Sequence, residues 1–162
     1  MNYQKRSLED FVGPEEAKAA GVMLQAVADE AAKSVQKQIN AFAEVWKTKK
    51  PEEQEELRKA AHRHARPWKG HVVSCPSCAC RGLLTGEDIK QQPPTLDGDE
   101  LVVRTSVLPT AFECTACGLK INGHSQLHAA GLGGQFTNTA TFDPVEYYAV
   151  EEENPGPEYN ND

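Results

Sequence analysis

CPSCACRGLLTG, residues 75–86, places three of the chain's five cysteines within six residues. The other two stand far downstream, in FECTACGLKING, residues 112–123. Four of the five fall into two C-x2-C pairs, Cys75/Cys78 and Cys114/Cys117, with the 35 residues 79–113 between them. Cysteines so arranged admit four uses: disulfide partners, a redox couple, buried small side chains or metal ligands.

The rest of the chain narrows the choice. MNYQKRSLED at the start lacks the apolar segment of a secretion signal. No apolar run approaches the roughly 20 residues that cross a bilayer. These features predict a cytoplasmic protein, whose thiols stay reduced, and the odd cysteine count also argues against a disulfide framework. A thioredoxin-type couple needs one C-x2-C at a helix start within a βαβ pattern, and here there are two pairs and no such pattern. Buried unliganded cysteines need no matched spacing. Metal binding remains. In a structural Zn²⁺ site four soft ligands stand in a tetrahedron, and each C-x2-C turn folds back to aim two sulfurs at one point. Gly118, directly after the second pair, suits a position with positive φ. A rubredoxin-type iron site uses the same knuckles and stays open on sequence grounds.

These two knuckles, each followed by a short apolar run, resemble a zinc ribbon of the four-cysteine class over about residues 71–122. The resemblance implies one structural Zn²⁺ per chain, held by Cys75, Cys78, Cys114 and Cys117, and a binding role without catalysis. Two features depart from the pattern. The gap of 35 residues exceeds the roughly 15–20 usual for it, and QQPPTLDGDE, residues 91–100, is expected to absorb the excess as a loop. Ala79 stands where the second knuckle has Gly118, which predicts a more strained first turn.

Upstream of the cysteines the sequence reads as helix. Ser7 and Asp10 have the spacing of a capping box. Gly13-Pro14-Glu15-Glu16 is a stronger start, with proline at the first helical position and carboxylates at the positive end of the dipole. From there to about Thr48 no proline intervenes. Leu24, Ala28, Ala32, Val35, Ile39, Phe42 and Trp46 form a seam in steps of three and four. A helix of this length is roughly 50 Å long and cannot bury a seam against itself. Pro51-Glu52-Glu53 opens a second helix, carrying Leu57, Ala60, Ala61, His64 and Trp68, that ends near Arg66 ahead of Pro67. The pair is expected to form a hairpin of one long and one short helix.

Short β-type runs follow at Val72-Val73, Leu83-Leu84, 101–103 and Val107-Leu108. A short helix is expected between Gly123 and Leu132, stopped by Gly133-Gly134. After Thr141 the chain is acidic and proline-containing and reads as an extended or disordered tail, anchored at its start by Tyr147 and Tyr148. The predicted fold class is α+β. Residues 1–69 form a helical hairpin for interaction or oligomerisation, 70–135 a zinc-ribbon domain with a short helix, and 136–162 an acidic, partly disordered tail. Hydrophobic content of 39% is thin for one compact core and favours this modular layout.

Function follows from what is present and missing. No phosphate loop, nucleophile elbow or HExxH motif appears, and a zinc closed by four thiolates has no position for water, so no enzyme is expected. His124 and His128 have i, i+4 spacing but no third ligand in sequence; His71 and Cys80 lie near the first knuckle as spare ligand types. The net charge of −7 divides unevenly: residues 1–90 hold 15 Lys and Arg against 13 Asp and Glu, and 91–162 hold 2 against 11. RKAAHRHARPWKGH, residues 58–71, carries five Lys and Arg, three His and no acid. Arg58, Lys59, Arg63, Arg66, Trp68 and Lys69 are thus candidates for contact with nucleic acid or an acidic partner; the acidic tail could instead lie over them. Two functions are carried forward. The first is a protein-assembly module that docks on itself or a protein partner through 14–48. The second is a nucleic-acid-binding ribbon, an accessory part of a larger bacterial DNA-processing or defence complex. Neither calls for a membrane or a small-molecule substrate.

Overall fold

The computed structural model describes residues 13–153, with side chains placed as far as Ala149. The Ser7/Asp10 capping box and the last nine residues of the predicted tail lie outside the described residues. A long helix is followed by an antiparallel sheet, so the class is α+β.

Helix α1 (Pro14–Thr48) begins at the predicted proline, with Glu15 and Glu16 in its first turn. After Lys49-Lys50 the chain enters α2 (Pro51–His64), again with proline first and acids next. Helix α2 stops two residues earlier than expected, and Trp68 is not part of it: the ring lies in the linker, 78% exposed. Six strands follow: β1 (His71–Ser74), β2 (Arg81–Gln91), β3 (Thr95–Asp97), β4 (Glu100–Glu113), β5 (Lys120–Asn122) and β6 (Phe136–Phe142). Strand β4 is the spine. It pairs with β2 and β3 along one edge and with β5 and β6 along the other, while β1 pairs with β2 at the outside.

Three expectations about this region are corrected. Half of the 91–100 segment is strand rather than loop, with the turn at Gly98-Asp99 following its Asp-Gly signal. β2 runs through Gln91, β3 and β4 form a hairpin closed by Gly98-Asp99, and only 92–94 are irregular. The two runs at 101–103 and 107–108 belong to one 14-residue strand. Pro109 sits inside that strand because its register with β2 shifts between Thr85 and Gly86, and a proline without an N–H fits at such an irregularity. Finally, FTNTATF, residues 136–142, is not tail. Strand β6 pairs with β4 from Leu101↔Phe142 to Val107↔Phe136.

Two helices complete the fold. Helix α3 (His124–Ala129) ends at Gly131, not at Gly133-Gly134. The Leu132 N–H donates to the Leu127 carbonyl and the Gly131 N–H to that of His128, with φ of 76° at Gly131. That is a Schellman ending, which glycine permits without a Cβ penalty. Helix α4 (Pro144–Glu153) starts on Asp143, whose carboxylate accepts the Val145 N–H at 2.8 Å. Tyr147 packs on Phe142 and Tyr148 stands edge-on to Tyr147, and the segment through Glu153 is helix rather than the extended or disordered tail expected.

One core joins the helical and ribbon segments. Val35, Ile39 and Trp46 of α1, Ala61 of α2, Leu127 of α3 and Phe112 of β4 are buried with the cysteines in a single cluster. The C-terminal half of the α1 seam is therefore covered by this chain's own α3 and sheet, whereas α2 leans mainly on the start of β2. Toward the N-terminus the cover thins to an open cleft between α3 and Leu24, Val27, Ala28 and Ala32, and Leu24 and Val27 are each 68% exposed.

Candidate metal centre

The two C-x2-C turns are near copies of each other. In the first, the Cys75 N–H donates to the Cys80 carbonyl at 2.8 Å and the Ala79 N–H to the Cys75 carbonyl at 2.9 Å. In the second, the Cys114 N–H donates to Leu119 and the Gly118 N–H to Cys114, both at 2.9 Å. The residue after each pair is left-handed, with φ of 60° at Ala79 and 84° at Gly118. Ala79 is the one non-glycine with positive φ among the described residues. The strain expected of the first turn thus has a backbone angle behind it. Strands position the turns: β1 delivers Cys75, β2 leaves the first knuckle, β4 delivers Cys114 and β5 leaves the second.

The four sulfurs converge. Cys75 Sγ lies 3.6 Å from Cys117 Sγ, and Cys78 Sγ lies 3.6 Å from Cys114 Sγ. All four atoms fall within 4.8 Å of one another. A tetrahedron with metal–sulfur bonds near 2.3 Å has sulfur–sulfur edges of about 3.8 Å, so the cluster is sized for one ion. Cys75, Cys78 and Cys114 are buried and Cys117 is half-buried. The Ser77 N–H points at Cys75 Sγ from 3.4 Å, an orientation that favours thiolate.

Crowding splits the thiols electrostatically. Cys75 is held well below the ordinary thiol range, first by its hydrogen bond with Cys114. Cys114 is lowered to about 7, first by its bond with Cys117. Cys78 and Cys117 are pushed up, each first by Cys114, with burial adding to the rise. Four negative sulfurs this close repel one another unless a cation stands among them. An all-thiolate set of this size fits a soft or borderline ion such as Zn²⁺ or iron. With four protein ligands, the tetrahedron keeps no open position.

Helix α1 is bolted to both knuckles. Ser77 Oγ donates to the Ile39 carbonyl at 2.8 Å, and Gln38 Nε2 donates to the Lys120 carbonyl at 2.9 Å. No sequence pattern announces these two polar residues, because each bonds a backbone group 38 or 82 positions away.

The other sequence candidates fall elsewhere. Cys80 is buried outside the cluster, its thiol donating to the Cys78 carbonyl at 3.7 Å. The His71 ring stacks on Phe136 at 4.9 Å. His124 and His128 share a face of α3 with ring centroids 6.4 Å apart, and among the described residues no third ligand joins them. In the seam, Ala28 and Ala32 are exposed with Leu24, and Phe42 is half-buried against the core. Within the basic stretch, Arg58, Lys59, Arg63 and Lys69 are exposed and Arg66 is half-buried. Arg58 covers the Trp46 ring, so it is partly committed to the fold. Lys59 has an exposed partner in Glu56 at 3.5 Å, a pair of little energetic weight.

Comparison with protein-family models, with curated proteins and with solved structures finds no match to this chain. Among the described residues, no helix is long and apolar enough to cross a membrane.

Proposed function

We propose that this chain is a non-catalytic zinc-ribbon assembly module. Cys75, Cys78, Cys114 and Cys117 hold one Zn²⁺ per chain, and the ion fixes the sheet end on which α1 rests. The exposed apolar stretch 19–28 of α1 then docks on further copies of the same chain.

The carrying observation is the stretch AAGVMLQAVA, residues 19–28. Its only polar side chain is Gln25, and Val22, Met23, Leu24 and Val27 are 65–71% exposed. A helix apolar on all sides belongs in an interior, and monomers seldom expose such surface. Helix contact in a two-stranded coil covers one stripe only. An all-round apolar segment is better satisfied by two or more neighbours, and the small residues Ala19, Ala20, Gly21, Ala26 and Ala28 permit close approach.

Native mass spectrometry of protein purified without chelator tests the reading in one measurement. One zinc per chain and more than one chain per particle are expected. Leu24→Glu with Val27→Glu should give a monomer that keeps its zinc. A strict monomer in the unaltered protein refutes self-association, and co-purification of a different protein at 19–28 would make the contact heteromeric.

A second reading is nucleic-acid binding through 58–71. It is favoured by a separate observation, the bare Trp68 ring within a stretch free of acids.

A further inference from the structure

The linker between α2 and β1, residues 65–70, and the start of β1 pass over the sheet where β4 and β6 pair. Linker and strands wall a groove of about 740 Å³. Trp68 stands at its rim, and the Arg66 guanidinium lies 5.8 Å from the centre of that ring. Lys69 and His71 line the same side, and the stack of His71 on Phe136 ties the linker to β6. The opposite wall is uncharged, with Val103 and Thr105 of β4 beside their pair partners Ala140 and Asn138 of β6, while Thr137 and Thr139 alternate to the other face of the sheet and border the groove only through their backbone. No acidic residue lines the groove.

We propose that this groove binds single-stranded nucleic acid. The inference rests on the second reading above and gives it a site. Trp68 stacks on one unpaired base, Arg66 and Lys69 meet the flanking phosphates, and the side chains of Thr105 and Asn138 face base or sugar edges. An exposed indole beside cations and over a hydroxyl- and amide-lined floor is what a strand with free base faces requires. Duplex bases are already stacked and offer no such face. An acidic peptide would use the cations and leave the indole and the β6 wall without a role.

The test is fluorescence anisotropy of a labelled oligothymidylate of about ten nucleotides, titrated with metal-loaded full chain at low and raised salt. Binding is expected to weaken as salt rises. Trp68→Ala should weaken it roughly 5- to 150-fold, the range for loss of one base–aromatic stack. The thermal midpoint should not move, since the ring is exposed. Trp68→Phe should restore most of the affinity. Lys69→Ala should lower the salt slope by about 0.7, as for one phosphate contact on a single strand. Asn138→Glu, which puts an acid on the β6 wall opposite Thr105, should also weaken binding. Absence of binding at low salt removes both the groove and the second reading. Binding indifferent to Trp68→Ala and Asn138→Glu removes the groove alone and leaves the basic helix as the contact. Tighter, Trp68-dependent binding of a polyglutamate peptide would assign the groove to a protein ligand and overturn the proposal.

Discussion

At Ala79 a methyl group occupies a backbone well that suits glycine. Left-handed conformation costs a non-glycine residue roughly 1–2 kcal/mol, while replacing alanine by glycine loosens the unfolded chain at a cost of about 0.4–1 kcal/mol. The first term is the larger. Ala79→Gly is therefore expected to stabilise the metal-loaded protein by up to about 1 kcal/mol, read as a higher denaturant midpoint with an unchanged slope. Gly118→Ala should by the same balance destabilise by up to about 1 kcal/mol. Space is not the obstacle there, because a Cβ would meet only the Phe42 ring at 3.6 Å. The cysteines divide just as sharply. Cys80→Ser should retain one metal ion per chain, because its sulfur lies outside the cluster. Cys78→Ser should lose or greatly weaken metal binding, measured by elemental analysis after dialysis. At this scale the sequence was nearly sufficient: ligand spacing and the Ala79/Gly118 contrast depend on neighbours a few positions away.

Helix α1 is one element with two fates. Its second half buries Val35, Ile39 and Trp46 against α3 and the sheet. Ile39→Ala should cost about 2–4 kcal/mol in global stability, as large-to-small changes in a core do. Leu24→Ala should change unfolding of the dilute monomer by less than about 0.5 kcal/mol, as expected of an exposed site, yet lower the mass at high concentration in light scattering. Equal effects of the two substitutions on stability would contradict this division. The seam itself was visible as a three–four pattern, but periodicity says only that a face is apolar. Which neighbour covers that face was settled by Ser77 and Gln38, each reaching a distant backbone group. Strand β6 was missed for a related reason. FTNTATF alternates Thr with Phe, Asn and Ala, so polar and apolar positions do not separate cleanly and the acidic segment after it coloured the reading. Asp143-Pro144, an N-cap followed by a proline at the first turn, was a readable start for α4.

The whole molecule hangs on the knuckles, because they tie β1, β2, β4 and β5 to α1. Structural zinc contributes on the order of 10–16 kcal/mol of apparent binding free energy, against about 5–15 kcal/mol for the net stability of a domain. Removing the metal with a chelator should abolish the cooperative thermal transition. Amide protection should fall in β1, β5 and the C-terminal half of α1 together, as seen by hydrogen exchange. Unchanged protection after verified metal loss would show that the apolar core suffices alone. The sequence by itself determined the paired cysteine knuckles, the proline-led starts of α1 and α2, and the α+β class. These depend on local spacing, capping and period. The tertiary structure alone decided that α1 shares the sheet's core over half its length, that 136–142 completes the sheet, and that a groove opens beside Trp68. Those outcomes arise from contacts between residues tens of positions apart, whose free energy depends on which surfaces and unpaired strand edges the rest of the fold leaves available.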